Sequence, residues 1–180
     1  MSAGAIPHYR QRGVQISRAS GWLVVAMAAS ALLGWYLGIP ILKSGLAGRV
    51  PMNPATAVSF LLGGIALLLL YQGDLSPARR NVARLCGGAV VVIPVLCLSR
   101  LFLRWDLGPD RLLFPSRIVV PVAGFANRMA PMTGVNFVLL GVTLLLLTSR
   151  SRSCYRAATA LATTAGLIGL AVIVDYGYQA

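Results

Sequence analysis

The sequence predicts an all-α fold: a polytopic membrane helical bundle of about five transmembrane helices with a duplicated helical hairpin. Three observations lead there. Of the 180 residues, 57% are hydrophobic and 11% are charged, against about a quarter charged in a soluble domain. The apolar residues fall in runs long enough to cross about 30 Å of hydrocarbon. One stretch of 19 residues also recurs 77 positions later.

A basic segment, residues 1–20, precedes the first apolar run. That run, from Trp22 to about Leu42, predicts the first span. The stretch before Ala26 to Ser30 is too short for a cleaved signal peptide, and the run continues well past it. The second span is predicted from about Pro54 to Gln72. The third is predicted from about Leu85 to Phe102, with Pro94 inside it, where a kink is expected. The fourth covers about Pro131 to Thr148 and the fifth about Tyr155 to Tyr176. Residues 21–178 thus form one membrane domain, with hairpins at about 21–72 and 85–148 and a fifth helix at 155–176.

Net charge is +12, from 16 Lys and Arg against 4 acids. Cations in a patch would suit nucleic acid. Here they stand at the ends of the apolar runs, where membrane proteins keep them, so the lipid bilayer is the expected partner and nucleic acid is not. Placing the N-terminus inside gives inner segments holding Arg10, Arg12, Arg18, Arg79, Arg80, Arg84, Arg150, Arg152 and Arg156. The outer segments hold Lys43, Arg49, Arg100, Arg104, Arg111, Arg117 and Arg128. That is nine cations inside and seven outside, over about forty and about fifty residues, and the bias holds in every loop. Trp22, Tyr71 and Tyr155 then mark the inner interface; Trp35, Tyr36, Trp105, Tyr176 and Tyr178 mark the outer one. The C-terminus emerges outside.

Catalytic chemistry has little to work with. Cys86, Cys97 and Cys154 form no CxxC, and Cys86 and Cys97 share a helix face as packing residues. His8 is the only histidine, so one chain cannot hold a bis-histidine haem. Neither paired carboxylates nor a metal-ligand cluster is present in the spans. The chain reads as a non-enzyme with no cofactor and no metal.

The repeat pairs MNPATAVSFLLGGIALLLL, residues 52–70, with MAPMTGVNFVLLGVTLLLL, residues 129–147, at 11 of 19 positions. Leucines match easily in membrane spans. The informative identities are Met52/Met129, Pro54/Pro131, Thr56/Thr133, Phe60/Phe137 and Gly64/Gly141. Upstream, Trp35-x-Leu37-Gly38 matches Trp105-x-Leu107-Gly108, and Leu42 matches Leu112. Proline suits the first turn of a helix. Asn53 can cap the first copy, whereas Ala130 cannot cap the second. Gly64 and Gly141 would let helices approach closely. The motif reads first as hairpin start and packing, with a role in signal transmission or a ligand site at the outer mouth as the second reading. The fifth span's Asp175-Tyr-Gly-Tyr faintly echoes Gly34-Trp-Tyr-Leu-Gly38.

GWYLGIPILKSGLAGRVPMNPATAVSFLLGGIALLLL, and LRWDLGPDRLLFPS with the segment from Asn127 onward, resemble the two hairpins of the N-terminal membrane sensor regions of bacterial sensor histidine kinases and GGDEF-type signalling proteins. The resemblance covers most of residues 20–178. It implies an input module in a bacterial cytoplasmic (inner) membrane, acting as a homodimer or with a partner kinase or cyclase. The chain departs from the pattern: it has no sixth span, no phosphoacceptor histidine in a helical context, no nucleotide-binding box and no GGDEF sequence. The expectation is therefore a sensory module without its output domain. A small oligomeric transporter or scaffold for uncharged substrates is the alternative. The arginines of segment 100–128, above all Arg104 and Arg111, are candidate outer contacts for an anion.

Overall fold

The structure, a computed structural model, describes residues 5–44, 51–71, 76–103, 128–149 and 151–178. All its regular elements are helices, and the described residues contain no strand. They are α1 (Ala5–Leu37), α2 (Pro40–Ser44), α3 (Pro54–Leu70), α4 (Pro77–Leu103), α5 (Pro131–Leu147) and α6 (Arg152–Tyr178). Three stretches within these are long and apolar enough to cross a membrane: Gly13–Leu37, Pro77–Ser99 and Arg152–Asp175. The other two apolar helices, α3 and α5, have 17 residues each, about 25 Å at the rise of an α-helix. The five apolar runs thus divide into three full-length helices and two short ones.

Helix α1 differs from expectation at both ends. It begins at Ala5, so no break separates the described part of the basic segment, from Ala5 onward, from the apolar run. It stops at Leu37 rather than near Leu42, because Gly38 takes φ 77°. The Ile39 N–H donates to the Gly34 carbonyl at 3.0 Å, the six-to-one bond of a glycine-terminated helix end. Pro40 then opens the short α2, which folds back on α1. A β-carbon at Gly34 would lie 2.7 Å from Leu42 Cβ and 2.8 Å from the Lys43 backbone nitrogen. Only a glycine lets the chain reverse so closely.

Helix α4 begins eight residues before the expected Leu85. Pro77 stands in its first turn, and Ser76 Oγ accepts the Arg79 N–H at 3.4 Å. A capping serine followed by proline is a strong helix start, and it extends the helix through the Arg79–Arg84 segment. Pro94 lies inside α4, almost fully buried.

The helices pack in chain order: α1 against α3, α3 against α4, α4 against α5 and α5 against α6, while α3 also touches α5. Alanines make up most of the apolar core, with Trp35, Val90, Phe137 and Leu144 beside them. Ala28, Ala31, Ala55, Ala57, Ala66, Ala83, Ala158 and Ala165 are buried, while many large apolar side chains face outward. That inversion suits lipid, where small residues bring helices together and large ones gain nothing by leaving the hydrocarbon.

Candidate functional site

The site is built from the repeated motif, beginning where α3 starts. The Asn53 side chain accepts the Ala55 N–H at 2.8 Å and the Thr56 N–H at 3.3 Å. Asn53 and the first turn of α3, Pro54 to Ala57, are buried. The preceding residue, Met52, is held by its backbone. Its N–H donates to the Lys43 carbonyl at 2.8 Å, and its carbonyl accepts the Trp35 indole N–H at 2.7 Å. Lys43 Nζ lies 4.4 Å from the centre of the Trp35 ring, within cation–π range. Trp35, expected as an interfacial anchor, is 3% exposed and ties α1, α2 and the motif together. In the second copy Ala130 occupies the same backbone region, φ −65° and ψ 142°, but supplies no cap.

Further along, each motif glycine sits at a helix crossing. A β-carbon at Gly64 would lie 2.7 Å from Val25 Cγ2 and 3.2 Å from the Gly21 carbonyl oxygen. At Gly141 the distances are 2.6 Å to Val91 Cγ2 and 3.0 Å to the Gly87 carbonyl oxygen. The reverse contacts also correspond. Gly21 faces Leu68, and Gly87 faces Leu145. Val25 and Val91 each stand four residues after their glycine. One crossing thus occurs twice, in α1 on α3 and in α4 on α5.

Sequence reasoning missed the partner side of these crossings. Its signal is Arg18-x-x-Gly21-x-x-Val24-Val25 against Arg84-x-x-Gly87-x-x-Val90-Val91, an offset of 66 rather than 70 or 77. At the end of α5, Arg84 Nε donates to Thr148 Oγ1 at 3.1 Å, and Thr148 Oγ1 donates to the Leu145 carbonyl at 2.7 Å. A cation there complements the helix dipole.

The two motif copies meet at Phe60 and Phe137, whose rings pack edge to face with centroids 4.7 Å apart. Beside them lies a half-open pocket of about 170 Å³ between α3, α5 and α6. Phe60, Phe137, Met132, Leu140, Ile168 and Val172 give it apolar walls, and Thr133 and Asn136 contribute its polar atoms. Asn136 Oδ1 is buried and has no hydrogen-bond partner. Gly169 faces that amide: a β-carbon on it would be in ordinary contact, 3.8 Å from Asn136 Nδ2. Asn136 matches Ser59 of the first copy. Ser59 is fully buried and donates to its own helix, to the Ala55 carbonyl at 2.8 Å.

Among the motif residues, Met52, Pro54, Thr56, Phe60 and Gly64 line the start and inner face of α3. Pro131, Thr133, Phe137 and Gly141 do the same on α5, with Met129 just before it. Arg104 and Arg111, the candidate anion contacts, lie outside the described residues. Among the described residues, no three His, Cys, Asp or Glu side chains gather to hold a metal. Compared with family models, curated proteins and solved structures, the chain matches none.

Proposed function

We propose that the chain is a five-span membrane module, built on a duplicated hairpin, which senses a stimulus and passes it to a signalling output. The observation that carries this reading is the contact of matched positions, Phe60 against Phe137. Each hairpin is locked by its own glycine crossing, while a small contact joins α3 to α5 directly. Two hairpins joined through α3, which packs on α4 and touches α5, form a bundle that small helix displacements can switch. The resemblance to sensor regions of histidine kinases and GGDEF-type proteins supports the same reading. The site is a bacterial inner membrane with the N-terminus inside.

Helix α1 offers a route for output. It runs unbroken for 33 residues, about 50 Å, so it outruns the hydrocarbon. A shift at the Gly64–Val25 crossing would move its basic N-terminal end as a rigid rod. With five spans the C-terminus lies outside, so a kinase or cyclase partner reads the inner ends.

Two measurements test this. A reporter fused after Ala180 should be active only on the outer side; activity inside rejects the five-span topology. A kinase or cyclase reading frame joined to or beside the coding sequence supports the sensor role, whereas a solitary locus counts against it. The uncharged pocket is the one feature favouring a transporter of neutral solutes. Uptake by the protein in liposomes would decide for that second reading.

A further inference from the structure

The turn that joins α5 to α6 gathers cations from two helices. On α4, Arg84 Nε donates to Thr148 Oγ1 at 3.1 Å, which fixes one guanidinium beside the end of α5. Next in the chain, Ser149 Oγ accepts the Ser151 N–H at 3.3 Å, and a hydroxyl that accepts can also donate. Arg152 opens α6, and Arg156, four residues on, lies on the same face of that helix. With Ser149, Ser151 and Tyr155, these two arginines line a shallow, open recess of about 400 Å³. Charge sets this turn apart. Residues 148–156 hold three arginines and no acid, whereas the matching link after α3, residues 71–79, holds Asp74 against Arg79. Asp175, the one acid among the described residues, stands at the far end of α6, about 35 Å from Arg152 at the rise of an α-helix.

From this we infer that the recess at the α5–α6 turn binds a phosphate group, carried by an anionic membrane lipid. Two guanidiniums present forked donors that match phosphate oxygens. The serine hydroxyls and the first-turn N–H groups of α6 add further donors, and the helix dipole favours negative charge there. Depth points to a lipid as the source. The apolar stretch Arg152–Asp175, long enough to cross a membrane, starts in the recess, and Tyr155, 65% exposed beside it, carries a ring suited to head-group level. The side of α6 that bears Arg156 continues into exposed Leu167 and Leu170, an apolar track for acyl chains. An open recess is what a head group arriving from the plane of the membrane requires. The inference stands apart from the signalling reading, because lipid selectivity is measured without any output.

The probes are spin-labelled phosphatidylglycerol and spin-labelled phosphatidylcholine, added to the full chain in phosphatidylcholine vesicles. Electron paramagnetic resonance reads the fraction of each that the protein immobilises. The expected result is a preference for phosphatidylglycerol of about fivefold, the scale of one arginine at an anionic head group. Arg152→Gln with Arg156→Gln should bring the two lipids close to parity. Arg12→Gln with Arg18→Gln removes the same charge from α1 and should leave the preference in place. Excess inorganic phosphate should not displace the labelled phosphatidylglycerol; displacement would assign the recess to a soluble phosphate and overturn the lipid as its source. Equal immobilisation of the two lipids by the unmodified chain, or equal losses in the two double variants, would overturn the inference, the latter by showing that charge at large attracts the lipid. The unmodified chain and its phosphate titration decide even where a variant fails to fold.

Discussion

Phe60 and Phe137 meet with their ring planes at 73° and their centroids 4.7 Å apart, and they are the same position of one motif written twice. Each ring belongs to the seventh residue of its helix, counting Pro54 and Pro131 as the first. The contact places corresponding faces of α3 and α5 together, so a change in one hairpin meets the other at an equivalent point.

A double-mutant cycle with Phe60→Ala and Phe137→Ala should therefore show coupling of about 0.5–1.5 kcal/mol, the range for aromatic pairs beyond their buried area. Unfolding of the chain in mixed micelles, followed by helical circular dichroism, measures it. Additive effects would mean that the rings do not act as a pair.

The glycine crossings give a second expectation. Gly64→Leu or Gly141→Leu drives a side chain into Val25 or Val91 and should cost about 1–3 kcal/mol, the usual penalty for overpacking. Gly166 has no atom within 4 Å of its would-be β-carbon, so Gly166→Leu should leave stability unchanged. The same micelle titration separates them, and equal losses at all three sites would contradict the packing described.

At the helix starts the two copies should respond in opposite directions. Asn53→Ala removes a bonded cap and should lose about 1 kcal/mol, while Ala130→Asn supplies the missing one and should gain a comparable amount. Amide exchange at Ala55 and Thr56, and at Met132 and Thr133, reports each change. Protection at α5 that does not rise in Ala130→Asn would exclude a productive cap there.

Trp35→Phe keeps the ring body and deletes the N–H that Met52's carbonyl accepts. Stability should fall by about 1–3 kcal/mol, the cost of an orphaned buried acceptor. The amides just after Met52 should exchange faster. Unaltered exchange would show that the indole bond does not hold the start of α3.

Several features were legible before any coordinates. Pro54, Pro131 and Asn53 mark where α3 and α5 begin, because proline and capping side chains act within a few residues of their own backbone. Long apolar runs gave the helices their places, because hydrocarbon thickness sets a length that residue counting can meet. The turn at Gly38 was less legible: Ile39 to Leu42 are apolar and read as more span, although positive φ at one residue reverses the chain. Likewise Ser76 and Pro77 start α4 ahead of its apolar part, where hydropathy gives no signal.

What the sequence by itself determined is the five apolar helices, their order and the repeated motif on two of them. Tertiary structure alone decided which faces meet: Gly64 on Val25, Gly141 on Val91, and Phe60 on Phe137. The reason lies in the solvent. A helix in water shows its buried face as an apolar stripe on a polar cylinder, but helices suited to lipid are apolar all round. Pairing then depends on small residues and shape, which become visible only when two surfaces are brought together.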